Sequence, residues 1–229
     1  MRGSRSPSQL KYLKKLALYS LEQLRKGEIE GISSELISYL EEEGALRDGR
    51  IVSTKAAISL IKLGITPEEA ASLLDWREFE QVCYSILEKH GYEVVRGLRF
   101  SVGGRRYELD LLACSDLCLL HVDCKMWSLR RGISGALARA AARHKERALA
   151  FSKCLSDLKG IILEPGRSRA IPILVCWLPA ARRIIDGIPV IPLYALRSFL
   201  LNLDPLDDEI WGITLDYRVR LCRASRRNS

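Results

Sequence analysis

Apolar residues recur with two different periods along this chain. From Gln9 to Lys26 they return every three or four residues and fall on one face of an α-helix, whereas from Tyr92 onward apolar and polar residues alternate as they do in strands. We therefore predict two domains: a small, mostly helical module over residues 1–66 and a larger, sheet-containing domain over residues 67–229.

The small module has the pattern helix, helix, hairpin, helix. Gly27 and Gly44 are suited to end the first two helices, and Asp48-Gly49 is a strong hairpin pair. This order resembles a winged helix-turn-helix and predicts a small α+β module of that kind.

The winged-helix-like module has an unusual charge for a DNA reader. Such modules usually present basic side chains to phosphates. The candidate recognition helix instead contains four acids: Glu35, Glu41, Glu42 and Glu43. Contact with a DNA backbone is left to Arg47 and Arg50 of the hairpin, and protein contact or structural support are the alternatives.

The residue pattern of the larger domain predicts the element order αβββαβ. A helix is expected from Asp75 to about His90, and a hairpin around Gly103-Gly104 and a third strand follow it. An Ala-rich basic helix comes next, then two further strands, a short helix and an edge strand. This order predicts an α/β sandwich around a central mixed sheet.

Composition narrows the class of protein. Hydrophobic residues make up 48% and aromatic residues 7%, so the core is aliphatic. No apolar run approaches the roughly 20 residues that cross a bilayer, and the basic N-terminus lacks the apolar stretch of a secretory signal. We expect a cytoplasmic protein without membrane partners. Asn and Gln total five, a scarcity that resembles the bias of thermophilic proteins.

The cysteines are odd in number, and no two form a C-x-x-C pair. Their apolar surroundings favour small core residues in a reducing compartment. A zinc site built from Cys114, Cys118 and Cys124 is the alternative, although alternating strand geometry would scatter these thiols over both faces. The seven positions are Cys83, Cys114, Cys118, Cys124, Cys154, Cys176 and Cys222.

The net charge of +8 is concentrated in the larger domain. Residues 1–74 contain 11 basic and 10 acidic side chains, whereas residues 75–229 contain 25 and 18. A positive field in one domain indicates a polyanionic partner, most simply nucleic acid. Six side chains are candidates for a DNA channel, with a solvated basic face as the alternative: Arg130, Arg131, Arg139, Arg143, Lys145 and Arg147.

Charged residues interrupt two otherwise apolar strands. Asp123 and Lys125 share one face of the third strand with His121, and Asp110 lies on the second strand. If the two strands pair, the carboxylates of Asp110 and Asp123 can lie close together, and a divalent cation would relieve their repulsion. Oxygen ligands suit Mg²⁺ or Mn²⁺.

A third acid is expected from the helix that begins near Asp75. On a helical wheel Glu80 lies at the edge of the buried stripe, whereas Glu78 faces water. We therefore expect Glu80, and not Glu78, to reach the sheet. Three inward acids and a lysine would suit metal-assisted hydrolysis of a phosphodiester.

Three stretches carry a family resemblance: DWREFEQVCYSILEKHGYEVV, YELDLLA and LLHVDCKMW. They resemble the PD-(D/E)XK nuclease superfamily, with the closest likeness to archaeal restriction-endonuclease-like and Mrr-like proteins, over about residues 75–150. The resemblance implies a restriction-endonuclease-like fold and metal-dependent cleavage of DNA. It implies catalytic roles for Glu80, Asp110, Asp123 and Lys125, and metal ligands at Glu80, Asp110, Asp123 and the carbonyl of Cys124.

Three positions near this motif either depart from the family's pattern or have more than one interpretation. Leu109 replaces the proline that precedes the first Asp in the superfamily's pattern. His144 stands near where relatives carry Gln, as an auxiliary to the phosphate or the water, or as a surface histidine. Trp127 is either a base-stacking residue or a packing anchor.

The expected activity is a Mg²⁺- or Mn²⁺-dependent endonuclease that cleaves DNA, of restriction, repair or junction type. Because such enzymes often act on both strands in pairs, a homodimer is expected. The alternative is a non-catalytic DNA-binding regulator or scaffold that retains a nuclease fold, and an RNA-processing nuclease is a third hypothesis.

Overall fold

The computed structural model describes residues 5–116, 118–126, 133–177 and 183–221. The chain forms two compact units, Met1–Phe79 and Glu80–Ser229. Among the described residues, no helix combines the length and apolarity needed to cross a bilayer.

Among its described residues, the first unit contains five complete helices and one short hairpin. The helix predicted over residues 9–26 is interrupted at Ser20 and forms two helices. In chain order the elements are α1 Pro7–Tyr19, α2 Leu21–Lys26, α3 Ser34–Glu42, β1 Leu46–Arg47, β2 Arg50–Ile51, α4 Ser53–Lys62 and α5 Pro67–Ala71.

Local signals set the ends of these helices as predicted. Ser33 caps α3, since its hydroxyl accepts a hydrogen bond from the N–H of Leu36. Gly27 ends α2 in the left-handed region at φ 76°, where glycine has no steric penalty. Tyr39 of α3 is buried, and its hydroxyl donates a 2.9 Å hydrogen bond to the carbonyl of Ser59.

Helix α6, Trp76–Lys89, crosses the division between the units, and the second unit continues with a large sheet. The order αβββαβ is confirmed. The elements are β3 Glu93–Val102, β4 Arg105–Cys114, β5 Cys118–Lys125, α7 Ile133–Cys154, a 3-10 turn Leu155–Asp157, β6 Ile161–Cys176, β7 Arg183–Ile185, β8 Ile188–Pro192, α8 Leu193–Leu201 and β9 Ile213–Leu221.

The sheet has seven strands and is mixed, as expected. Its order is β3-β4-β5-β6-β8-β7, with β9 paired to β6. The pairs of β3 with β4 and β4 with β5 are antiparallel, β5 and β8 run parallel to β6, and β7 and β9 are antiparallel to their partners. Strand β6 spans 16 residues, so its first half pairs with β9 and its last residues pair with β8.

Helix α7 covers one face of the sheet. Its C-terminal half places Phe151 in a core with residues of β3, β4, β5, β6 and β9, and its N-terminal half packs Leu137 and Ala141 against the end of β6 and β8. Small residues on the buried side, such as Ala140 and Ala148, let the helix lie close to the strands. The polar side chains of α7 that point at β5 are therefore held at a fixed position over that strand.

Candidate active site

The site is centred on facing positions of β4 and β5. Leu111 lies opposite Val122 at the end of the antiparallel ladder, and continuing that register by one residue puts Asp110 opposite Asp123. Oδ2 of Asp110 also accepts a 2.7 Å hydrogen bond from the backbone N–H of Cys124, the residue that follows Asp123 on β5. Both carboxylates line one cleft, which confirms that the two acids point to the same side of the sheet.

Asp123 is the most enclosed carboxylate of this cleft. Its side chain is only 2% exposed, and each of its oxygens contacts a different cation. Nζ of Lys125 lies 2.8 Å from Oδ2, and Nη1 of Arg147 lies 2.9 Å from Oδ1. Two cations thus compensate a charge that would be very costly to bury alone.

The two carboxylates differ in their acidity. Burial, followed by repulsion from Asp123, raises the pKa of Asp110 to about 7. Burial would also raise the pKa of Asp123, but neighbouring positive charge outweighs it and holds this pKa below its usual value. The groups near Asp123 that can carry positive charge are His144, Lys125 and Arg147. Burial lowers the pKa of His144 to about 4, so its ring is neutral at pH 7, and Lys125 and Arg147 supply the positive charge.

His144 lies behind the cleft. It is fully buried, so the surface alternative is wrong, and it is absent from the residues that line the cleft. The reason is its position on the sheet side of α7, where Nε2 lies 2.8 Å from the carbonyl of His121. His121 is also fully buried, with its ring 4.7 Å from that of Phe151 in an edge-to-face arrangement.

The two acids of α6 only partly follow the helical-wheel prediction. Glu80 is largely enclosed and its negative charge contributes to the raised pKa of Asp110, but its carboxylate pairs with Arg96 at 3.5 Å and does not line the cleft. Glu78 does not face water: it is half-buried, and Oε2 has no hydrogen-bond partner among the described residues. A wheel considers only the helix's own apolar stripe and so misses what covers its polar side.

The cleft has a volume of about 390 Å³ and a mixed charge. The guanidinium of Arg105 pairs with Glu146 and lies 5.1 Å from the ring centre of Tyr107. The side chains that line the cleft are Arg105, Arg106, Tyr107, Glu108, Asp110, Asp123, Lys125, Arg143, Glu146 and Arg147.

The six predicted DNA-binding residues are spread over different surroundings. Arg130 and Arg131 lie outside the described residues, as does Trp127. Arg143 is exposed in the cleft, whereas Arg139 is exposed outside it and Nζ of Lys145 lies 4.6 Å from the ring centre of Trp211. Arg147 is paired with Asp123.

The described cysteines are buried, as expected of core residues. Cys124 and Cys83 are in contact across β5 and α6. Their hydrogen bond, together with burial, raises the pKa of the Cys124 thiol well above its ordinary value. Burial also raises the pKa of the thiols of Cys114 and Cys118. These thiols are therefore less acidic than that of an exposed cysteine, as suits small core residues.

The oxygen donors suit a small hard cation. Within the part of the chain that the structure describes, no group of three or more His, Cys, Asp or Glu side chains is placed to hold one metal ion. Mg²⁺, however, is commonly bound through one or two carboxylates, with waters in the other positions. Asp110 and Asp123 are two neighbouring carboxylates of this kind. Their mutual repulsion, which adds to burial in raising the pKa of Asp110, is what a divalent cation would relieve.

The pattern of residues did not predict two contacts of this site. Arg147 was expected to face DNA, and Arg96 was not singled out, yet each pairs with an acid predicted to hold metal. Arg147 is three residues from His144 on α7, but only the packing of that helix on β5, which the sequence does not show, brings Arg147 to Asp123. Arg96 could be found only from the pairing of β3 with β4.

Comparison with known proteins gives relatives without an assigned activity. No family model matches the chain. An uncharacterized protein from Archaeoglobus fulgidus is 30% identical over 128 residues, which cover 56% of this chain and 91% of that protein.

Two solved structures are similar at 16% sequence identity. One is AF1548, a protein of unknown function, with a TM-score of 0.30 over 43% of this chain and 46% of that one. The other is VC1899 from Vibrio cholerae, with a TM-score of 0.34 over 87% and 56%. The chain thus spans about half the length of each, and neither likeness is close enough to bear on its fold or activity.

Proposed function

This chain belongs to the same family as the uncharacterized protein from Archaeoglobus fulgidus, and we propose that it is a metal-dependent endonuclease that hydrolyses DNA phosphodiester bonds. One observation carries the proposal: Asp110 and Asp123 face one cleft from neighbouring strands, with Lys125 bonded to Asp123 and arginines around them. The αβββαβ order supports a restriction-endonuclease-like fold for the larger domain, as the sequence motifs suggest.

The two acids and the lysine would have distinct roles. Asp110 and Asp123 would hold Mg²⁺ or Mn²⁺, with the carbonyl of Cys124 as a further predicted ligand. Glu80, the other predicted ligand, pairs with Arg96 outside the cleft and would have to leave that pair to reach the ion. The bound cation would supply an activated water and neutralise charge on the phosphate. Lys125, fixed beside Asp123, would stabilise the negative charge that develops during the attack on phosphorus.

The arginines of the cleft suit a polyanionic substrate. Arg106 and Arg143 line it, and neither forms an ion pair with another described residue. Guanidinium groups bind phosphate oxygens in a bidentate manner. Exposed Arg47 and Arg50 on the hairpin of the first unit would add backbone contacts if that module also binds DNA.

A non-catalytic DNA-binding regulator is the second candidate, and a specific observation favours it. Both oxygens of Asp123 are already paired with cations, and Glu80 is paired with Arg96. A fold that had lost its catalytic role could keep such pairs for stability alone. Metal-dependent cleavage separates the two candidates.

The test compares the wild-type protein with Lys125→Ala on supercoiled, branched and single-stranded DNA, with Mg²⁺, Mn²⁺ or EDTA. The enzyme predicts cleavage by the wild type that EDTA abolishes and that the variant lacks, while both proteins bind DNA equally. Equal binding without cleavage by either protein would support the regulator. RNA substrates are included, and preferential cleavage of RNA would assign the same site to RNA processing.

A further inference from the structure

Each carboxylate oxygen of Asp123 contacts a positively charged side chain. The amine of Lys125 contacts Oδ2, the guanidinium of Arg147 contacts Oδ1, and the carboxylate is almost fully buried. A divalent cation that uses Asp123 as a ligand must compete with these pairs. The competition follows from the proposed function, on which this inference rests.

The two cations differ in how easily they can leave. Lys125 lies two residues from Asp123 on the same strand, so its amine is tethered beside the carboxylate. Arg147 belongs to α7 and reaches Asp123 with a long side chain that is 20% exposed. It can withdraw by rotating its own side chain, without any shift of the sheet.

The cleft borders the Arg147 side chain on the side away from the sheet core, because Arg147 is one of its lining residues. Arg143 lies one helical turn earlier on α7, and both arginines line the same cleft. A guanidinium that leaves Asp123 therefore stays beside the space in which a phosphate would bind, and it is the group best suited to pair with phosphate oxygens.

We propose that Arg147 occupies Asp123 in the metal-free protein, leaves it when a divalent cation binds there, and then contacts a phosphate of the nucleic acid. In the metal-free state Arg147 compensates the buried charge of Asp123. In the metal-bound state it adds to the positive lining of the cleft. Binding of metal and binding of nucleic acid are thereby coupled, and each strengthens the other by the same factor.

The test measures Mn²⁺ affinity of the protein alone, by the electron paramagnetic resonance signal of free Mn²⁺ at slightly alkaline pH. Arg147→Met removes the competing pair, so it should bind Mn²⁺ about ten-fold more tightly than wild type. Arg143→Met is the matched control, because it removes the same charge from the same cleft without breaking a contact to Asp123. It should change the affinity by less than about three-fold.

A cleavage assay at saturating Mn²⁺ gives a second readout in the opposite direction. Arg147→Met should cleave DNA about ten-fold or more slowly despite its tighter Mn²⁺ binding, because a phosphate contact is lost. If Arg147 had only a structural role, its substitution would not raise the metal affinity while it lowers the activity.

Three results would overturn this inference alone: unchanged or weaker Mn²⁺ binding by Arg147→Met, an equal increase in Arg143→Met, or a Mn²⁺-bound wild-type structure in which Arg147 still contacts Asp123. The last needs no substitution, so it holds if the methionine variant fails to fold. Mn²⁺ binding that Asp123→Asn abolishes would leave the proposed function standing in each case. Absence of Mn²⁺ binding by wild type would overturn both.

Discussion

The carboxylate of Asp110 accepts a hydrogen bond from the backbone N–H of Cys124, 2.7 Å away on the neighbouring strand. This bond joins β4 to β5 at the position where their ladder ends, and it directs Asp110 toward Asp123. A side chain thus takes part in strand pairing and in the cleft at the same time. Changes at Asp110 should therefore alter both stability and ion binding.

The raised pKa of Asp110 predicts how stability depends on pH. Between about 4 and about 7 the folded protein keeps a proton on Asp110, whereas the unfolded chain has lost it. The wild type should therefore lose stability relative to Asp110→Asn as pH rises through this window, with no further change above it. Urea unfolding of both proteins in the absence of metal measures the difference. A constant difference from pH 4 to 8 would contradict the assignment.

Removal of Asp123 should be costly. Asp123→Ala leaves Lys125 and Arg147 without their buried counter-charge and should lower the free energy of unfolding by about 3 kcal/mol. In a double-mutant cycle, Asp123→Ala and Arg147→Met should show a coupling of about 1 kcal/mol or more. The exposed pair of Arg167 and Asp216 is the control, and Asp216→Ala should have no measurable effect. Additive effects of the first two substitutions would refute the pairing.

The buried histidines predict loss of stability in acid. Burial lowers the pKa of His121 from 6.5 to about 3 and that of His144 to about 4. As pH falls below 6.5 the unfolded chain gains protons that the folded protein does not accept, so the free energy of unfolding falls by up to about 1.4 kcal/mol per pH unit for each histidine.

His121→Leu isolates one of these groups. Both ring nitrogens of His121 lack a hydrogen-bond partner among the described residues, so the substitution should cost little at pH 7. Relative to wild type, the variant should become more stable as pH falls from 6.5 to 4. Chemical unfolding across that range measures the effect, and parallel pH curves for the two proteins would show that His121 is not a buried neutral group.

Local patterns predicted the elements because the determining contacts lie within them. Asp48-Gly49 specifies its hairpin, and Gly103-Gly104 joins β3 to β4, each through the left-handed conformations those turns require. Alternation sets which residues share a face within β4 and within β5, and the register that pairs Leu111 with Val122 then puts Asp110 and Asp123 on the same side of the sheet.

Long-range contacts were not predictable in the same way. The break at Ser20 interrupts an apolar stripe that continues on both sides, and β9 joins β6 through a register that no local signal sets. Arg147 and His144 are three residues apart on α7, and only the packing of that helix on β5 sends one to Asp123 and the other to His121. Arg147 was predicted to line a DNA channel from the count of basic residues, and such a count does not show that a basic side chain pairs with a buried acid such as Asp123.

The central claim, that Asp110 and Asp123 together bind a divalent cation, is tested most directly by anomalous diffraction from crystals of the wild type and of Asp123→Asn grown with Mn²⁺. We predict an anomalous peak in the wild type within ligand distance of oxygens from both carboxylates, and no peak there in the variant. A wild-type structure in which the cleft holds no Mn²⁺ at saturating concentration, or holds it away from these two side chains, would contradict the claim.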